Sequence, residues 1–262
     1  MSSSNQPGDL FLEGRLTEAV EAARQAVQRK PTDAGLRVLL AELLLFMSDF
    51  ERADAVIAAL ESIEPDTAIV VAEFRQLLRA AVARRQLGSD GRLPEFLGEP
   101  TAFQKRILQA FVALRAGDAE AAADAAEAAE AIRPVVTGTA NGTSFDDFRD
   151  ADDLNSGSLE VLTTTGKYFW LPMERVISLE FHVPKRPRDL FWRRCTISVK
   201  EGPDGDIYLP ALYETDGTDD QLRLGRSTMF SSAAPVRGSG QRMFVVGDDA
   251  LPINELQTVQ FA

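Results

Sequence analysis

The chain has 262 residues, a formal net charge of −12 at pH 7, 45% hydrophobic residues and 26% charged residues. This composition is typical of a globular protein with room for about two domains. The acidity is spread along the chain and argues against nucleic acid or an anionic membrane as a main partner. One cysteine, Cys195, excludes an internal disulfide and fits a reducing, cytoplasmic location.

The first residues have the composition of a tail. Met1–Gly8 is rich in Ser, Asn, Gln, Pro and Gly, and no basic segment precedes an apolar one. We therefore expect residues 1–8 to be a disordered tail and not a secretory signal. No later apolar run is long enough to cross a membrane, since that takes about 18 residues.

Residues 9–134 contain one spacing three times. A small turn residue lies 17 residues before a proline, and an alanine lies 12 residues before the same proline. The first two copies are 34 residues apart, a period typical of tetratricopeptide (TPR) helical hairpins. We expect the alanine to lie where two helices cross closely. The three sets are Gly14, Ala19 and Pro31, then Ser48, Ala53 and Pro65, then Gly117, Ala122 and Pro134.

Helical periodicity and breaking residues place the helices. Thr17, Asp33 and Asp49 are candidate N-caps, and a proline ends several of the segments. The glycines and prolines of residues 88–100 predict a loop in place of one degenerate hairpin. The predicted helices cover about 16–29, 33–47, 50–63, 67–85, 101–115 and 118–132.

Stacked hairpins form a curved solenoid, which usually binds other proteins. We expect a groove lined by the helices at about 34–47, 67–85 and 101–115, suited to a partner helix. Arg37, Arg75 and Arg79 lie on these helices and are the candidate partner-binding residues, because guanidinium groups pair with carboxylates in a fork. The alternative is that they are solvated surface charges.

After Pro134 the composition changes to short apolar runs separated by turns. This predicts a small, mostly antiparallel β-rich domain over residues 135–262, with one short helix near 144–155. The fold class is therefore α+β with two domains, a TPR-like helical repeat domain at 9–134 followed by the β-rich domain. The predicted strands are 159–164, 168–171, 176–183, 195–199, 207–212 and 243–246.

The sequence offers little equipment for catalysis. His182 is the single histidine, and Cys195 has no motif around it. Both fit ordinary strand positions better than a nucleophile and its base. The acidic cluster, Asp146–Asp153, could bind a divalent cation, but it lacks the EF-hand pattern. We expect a local turn with docked arginines there, and no catalytic, metal or cofactor site.

An ordered set of short motifs gives a family resemblance over about residues 10–244. The chain resembles the ImpE/TagJ family, accessory proteins of bacterial type VI secretion. The motifs that carry it are Leu12–Leu16, Leu97–Pro100, Phe145–Asp152, Ser158–Val161, Gly166–Pro172, Pro187–Trp192, Leu209–Tyr213, Leu222–Arg226 and Gly240–Arg242.

The resemblance implies a non-enzymatic adaptor. Family members are associated with the small subunit (TssB-like) of the contractile sheath and with the ClpV-type AAA+ unfoldase that recycles contracted sheath. Two other functions stay open at this point. One is a TPR scaffold for an unrelated complex, and the other is a metal-dependent enzyme that uses the Asp146–Asp153 cluster.

Overall fold

The computed structural model describes residues 6–214 and 217–262, and its first part consists of helices. Asp33 and Asp49 begin two of them by accepting a hydrogen bond from a backbone N–H three residues ahead. Thr101 begins another through a capping box with Gln104. These helices are α1 (Pro7–Leu12), α2 (Leu16–Arg29), α3 (Ala34–Phe46), α4 (Phe50–Ala58), α5 (Leu60–Ile63), α6 (Ala68–Ser89), α7 (Ala102–Arg115) and α8 (Ala119–Glu130).

The small residue of each repeat lies in a left-handed turn between two helices. Gly14, Ser48 and Gly117 have φ angles of +83°, +58° and +76°. Such angles favour glycine, which explains why this position is small. The turns join α1 to α2, α3 to α4 and α7 to α8, so the spacing corresponds to three helical hairpins. The recurring alanines are fully buried in the second helices: Ala19, Ala53 and Ala122.

The remaining chain is β-rich. The order of the nine-stranded sheet is β1-β6-β5-β9-β8-β7-β15-β2-β3, and two three-stranded sheets have the orders β10-β12-β11 and β14-β13-β4. The paired strands are antiparallel apart from β1 and β6. The strands are β1 (Glu95–Phe96), β2 (Gly138–Ala140), β3 (Thr143–Phe145), β4 (Phe148–Asp150), β5 (Ser158–Leu162), β6 (Tyr168–Pro172), β7 (Val176–Phe181), β8 (Trp192–Val199), β9 (Gly205–Pro210), β10 (Leu212–Tyr213), β11 (Thr228–Phe230), β12 (Gly238–Gln241), β13 (Met243–Val246), β14 (Asp249–Pro252) and β15 (Thr258–Phe261); a short helix, α9, covers Asp220–Arg223.

The α+β fold class is confirmed, and three local predictions are wrong. The short helix near 144–155 is absent, because β3, β4 and a turn occupy that segment. The tail predicted for residues 1–8 is wrong at its end, because Pro7 and Gly8 belong to α1; residues 1–5 of that prediction lie outside the described residues. The segment 88–100, predicted to be a loop throughout, contains β1, which joins the edge of the large sheet beside β6.

The two faces of the nine-stranded sheet pack differently. One face lies against the helices, where Tyr168, Trp170 and Trp192 join the helical core. Trp170 and Trp192 are 2% and 1% exposed, as expected from their aromatic surroundings. The other face packs under β4, β13 and β14 around an apolar cluster, with Phe148 and Phe244 stacked at 5.0 Å between ring centroids.

The helix–sheet packing corrects the predicted groove. The inner faces of α3, α6 and α7, expected to receive a partner helix, contact the protein's own sheet and its connecting turns. Three aromatic pairs with centroids 5.3–5.8 Å apart join them: Phe46 with Phe191, Phe74 with Trp192 and Phe111 with Trp170. The amide of Gln104 also donates to the backbone oxygen of Trp170 at 3.2 Å.

The segment around α9 holds the first hairpin in place. The carboxylate of Asp220 accepts hydrogen bonds from the backbone N–H of Thr17 at 3.0 Å and from its hydroxyl at 3.1 Å. Arg226 donates to the backbone oxygens of Phe11 and Leu12 at 2.8 and 2.7 Å. The start of α2 is therefore capped by a distant aspartate, and the expected cap from the Thr17 side chain is wrong.

Candidate partner-binding surface

A groove on the outside of the helical region remains open. It runs between α4 and α6 and encloses about 570 Å³. We call it the α4–α6 groove. Its apolar wall is formed by Phe50, Leu78 and Val82, and its charged wall includes Arg75 and Arg79. Residues 75, 79, 82 and 86 recur at helical spacing on one side of α6, so this side faces the groove.

Arg75 is already paired within the protein. Its Nε donates to Oδ1 of Asp54 at 2.8 Å and its Nη2 to Oδ2 at 3.2 Å, and Glu61 lies 3.7 Å away. The hydrogen bond with Asp54 raises the pKa of Arg75. This fork joins α4 to α6 across the groove and fixes the position of the guanidinium group.

Arg79 and Arg92 differ from Arg75, because they contact only amide oxygens among the described residues. Nη1 of Arg79 lies 3.3 Å from Oε1 of Gln76, and Nη1 of Arg92 lies 2.9 Å from Oε1 of Gln86. Both cations can therefore pair with carboxylates of a partner. Arg92 also lines the groove and lies three residues after the end of α6, where its backbone N–H donates to the backbone oxygen of Gln86 at 3.1 Å. Sequence reasoning missed it because it considered only arginines on the predicted helices.

Arg37 lies elsewhere. Its Nε donates to the backbone oxygen of Pro31 at 2.8 Å, next to the start of α3, and it does not line the α4–α6 groove. The structure therefore brings together two of the three arginines chosen from the sequence, Arg75 and Arg79.

Most carboxylates of the acidic cluster accept hydrogen bonds from the protein's own donors. Asp147 pairs with Arg133 at 2.7 and 2.8 Å, and Asp153 accepts from the backbone N–H of Val236. Asp152 accepts from Arg237 and from backbone N–H groups. Among residues 6–214 and 217–262, no group of three or more carboxylate, His or Cys side chains has an arrangement that could hold a metal ion. This geometry gives no support to the metal-dependent alternative.

His182 and Cys195 have the surroundings of ordinary strand residues. A ring nitrogen of His182 lies 3.0 Å from the hydroxyl of Thr196, at an exposed position. Burial raises the pKa of the Cys195 thiol to about 12, so it is a poor nucleophile.

Buried charges join α6 to the sheet. Glu160, on β5, accepts hydrogen bonds from Arg84 at 2.8 and 2.9 Å and further bonds from Arg242 and Tyr168. Burial alone would raise the pKa of Glu160, but the two guanidinium charges outweigh it and hold the pKa well below the usual range. We call this set, with Asp150 beside Arg242 at 3.4 Å, the Glu160 network.

A second buried carboxylate, Glu42 of α3, has fewer donors. It is 2% exposed, and its Oε1 has no hydrogen-bond partner in the described part of the chain. Nε of Arg186 is 3.8 Å away, and Arg188 and Asp189 also lie nearby. Burial raises the pKa of Glu42 to about 7 despite the neighbouring arginines.

Known proteins share both parts of this architecture. A tetratricopeptide repeat model matches residues 10–83, and a model described as ImpE protein matches residues 142–260. A Pseudomonas aeruginosa protein named type VI secretion system accessory component TagJ is 31% identical over 256 residues, which is 97% of this chain and 90% of that protein. The chain belongs to the ImpE/TagJ family.

The fold of this ImpE/TagJ protein is shared over its full length. An X-ray crystal structure of a Vibrio parahaemolyticus protein is similar with a TM-score of 0.91 at 30% identity, and the match covers 98% of this chain and 97% of that one. The packing of helices on the sheet is therefore a property of both proteins. No described helix combines the length and the hydropathy that a membrane crossing requires.

Proposed function

We propose that the protein is a cytoplasmic, non-enzymatic adaptor of a type VI secretion system. It binds the small subunit of the contractile sheath, assists its recycling by a ClpV-type AAA+ unfoldase, or does both. The observation that carries this proposal is the similarity to an accessory component, TagJ, along 97% of the chain. The occupied acidic cluster and the inert thiol agree with a role in binding.

The α4–α6 groove is the surface we propose for the partner. Phe50, Leu78 and Val82 form its apolar wall, and Arg79 and Arg92 line it beside Glu51 and the paired Asp54. An amphipathic helix with apolar residues on one side and carboxylates beside them fits this pattern. Arg75 would support the site by holding α4 and α6 at a fixed separation through Asp54.

The mechanism we propose is tethering. A sheath segment bound in the groove stays close to an unfoldase that engages the same subunit. Binding of the second protein then becomes an intramolecular event, which raises its effective concentration. Such an adaptor needs no chemical step of its own.

The test is a calorimetric titration of the full-length protein with peptides that correspond to the terminal helices of the sheath small subunit. We expect Arg79→Ala/Arg92→Ala to weaken binding by roughly tenfold or more, because interface arginines often contribute over 1 kcal/mol each. Arg106→Ala, an exposed change on α7 outside the groove, is the matched control and should bind normally.

The outcomes separate the function from the surface. Absence of binding to any sheath or unfoldase segment would reject the adaptor proposal. Normal binding by the double variant would keep the adaptor and discard the groove. Arg37→Ala is a separate arm, because weaker binding there would extend the surface toward the start of α3.

A further inference from the structure

A second cavity lies where the helices meet the β-rich part. It encloses about 500 Å³ between α6, α7, the turn before β5 and the end of β10. We call it the junction cavity. Guanidinium groups are concentrated there, although the chain as a whole carries a net charge of −12. The arginines that line it are Arg84, Arg85, Arg115 and Arg237.

Three of these arginines use few of their donors. A guanidinium group has five N–H donors. Among the described residues, Arg85 donates one hydrogen bond, to the backbone oxygen of Ser48 at 3.1 Å. Arg115 donates one, to that of Leu87 at 3.0 Å, and the Arg237 side chain donates one, to Asp152 at 3.0 Å. Nη2 of Arg85 is buried without a partner in the described part.

The carboxylates of the cavity leave most of these donors free. Both oxygens of Asp152 already accept hydrogen bonds, from backbone N–H groups and from Arg237. Both oxygens of Glu160 accept from Arg84, and they accept further bonds within the Glu160 network. Glu214, which is 40% exposed, pairs with Arg84 at 2.9 Å and lies 3.7 Å from Nε of Arg85. Four arginines thus face three carboxylates in the lining, which leaves one net positive charge and unused N–H donors on Arg85, Arg115 and Arg237.

Aromatic rings hold two of the guanidinium groups. The guanidinium carbon of Arg85 lies 4.2 Å from the ring centre of Phe50, and that of Arg237 lies 5.7 Å from the ring centre of Phe111. Cation–π contacts of this kind restrict the side chains before any ligand arrives. Leu87 also lines the cavity and, with Phe111, offers an apolar wall for the carbon part of a ligand.

We propose that the junction cavity binds a small molecule that carries phosphate or carboxylate groups. Arg85, Arg115 and Arg237 would hold its oxygens, because the guanidinium fork matches both groups in geometry and charge. The ligand would contact α6, α7 and the β-rich part at once. This inference does not rest on the adaptor role.

The test is calorimetric titration of the full-length protein with inorganic pyrophosphate and, separately, with citrate, at an ionic strength held constant with KCl. We expect one probe to bind with a stoichiometry of about one. Arg85→Gln and Arg237→Gln should each weaken binding by about tenfold, since a hydrogen bond to a charged group contributes roughly that much. Arg106→Gln, on α7 and outside the cavity, should bind like the unmodified protein.

Each outcome decides the inference. Binding of pyrophosphate alone identifies a phosphate ligand, and binding of citrate alone identifies a carboxylate ligand. The proposal is overturned if neither probe binds. It is also overturned if a probe binds equally well to both cavity variants. Arg237→Gln removes one partner of Asp152 and could unfold the protein. Arg85 is partly exposed, so Arg85→Gln still tests the site in that case.

Discussion

Two buried carboxylates at opposite parts of the helix–sheet junction have opposite pKa shifts. Glu160, beneath α6, receives hydrogen bonds from two arginines and a tyrosine, and its pKa is lowered. Glu42, on α3, has arginines nearby but one oxygen without a hydrogen bond, and its pKa is raised to about 7. Burial acts in the same direction on both, so the difference comes from the partners that directly contact each carboxylate.

The contrast shows what each region contributes. The Glu160 network is a satisfied ionic cluster in which each member depends on the others. At Glu42 the charged form is poorly compensated, so the neutral form is favoured in the folded protein. The Glu160 network thus holds the helices on the sheet at neutral pH. Ionisation of the buried Glu42, in contrast, lowers the free energy of unfolding at that pH.

The largest expected effect is that of Glu160→Gln. This change leaves Arg84 and Arg242 buried beside a neutral amide, and removal of one partner from a buried ion pair costs about 3–5 kcal/mol. Urea unfolding at pH 7 measures the loss. The exposed Glu21→Gln change, which also removes a carboxylate paired with an arginine, is the control and should have a far smaller effect. Equal effects of the two changes would contradict a special role for the network.

Glu42→Gln should have a smaller effect that depends on pH. The pKa of Glu42 in the folded state, about 7, lies above its ordinary value of 4.5. The folded protein therefore retains a proton between about pH 4.5 and 7 that the unfolded chain releases, and stability falls as pH rises through this window. The amide resembles the neutral acid, so the variant should gain about 1–3 kcal/mol relative to the unmodified protein between pH 5 and pH 8.

Unfolding curves at several pH values measure this gain. Burial also raises the pKa of Asp150, to about 6, so this residue makes stability fall with rising pH in both proteins. Its contribution cancels when the two unfolding curves are compared. A pH-independent difference between the two proteins would show that Glu42 is ionised throughout this range.

The smallest expected effect is that of Arg186→Ala. Arg186 is partly exposed and lies 3.8 Å from Glu42, so its loss should cost under about 1 kcal/mol at pH 5. Removal of the cation should raise the pKa of Glu42 further, because a nearby positive charge favours the ionised form. The midpoint of the pH-dependent stability change should move to higher pH. A move to lower pH would mean that Arg188 comes closer to Glu42 when Arg186 is removed, because only a cation lowers the pKa of a carboxyl group.

Much of the fold could be predicted because local rules decide it. The small turn residues Gly14, Ser48 and Gly117 lie at positive φ, and Asp33 and Asp49 act as caps. Both signals are encoded within a few residues of sequence. The strands of residues 158–199 were also predictable, because their apolar runs are long enough to be recognised as strands.

The rest depends on contacts distant in sequence. A strand as short as β1 has no periodicity of its own, and its pairing with β6 supplies its hydrogen bonds. The sheet that fills the expected groove of α3, α6 and α7 could not be placed from composition. For the same reason the sequence grouped Arg37 with Arg75 and Arg79, and it missed the junction cavity.

The cap of α2 by Asp220 has a consequence for synthesis on the ribosome. The carboxylate and the Thr17 N–H that it satisfies are 203 residues apart. At a synthesis rate of about 5–20 residues per second, the first hairpin emerges about 10–40 seconds before its cap exists. During that interval the start of α2 relies on water for its hydrogen bonds. The first hairpin therefore reaches its final set of hydrogen bonds only after Asp220 has been synthesised.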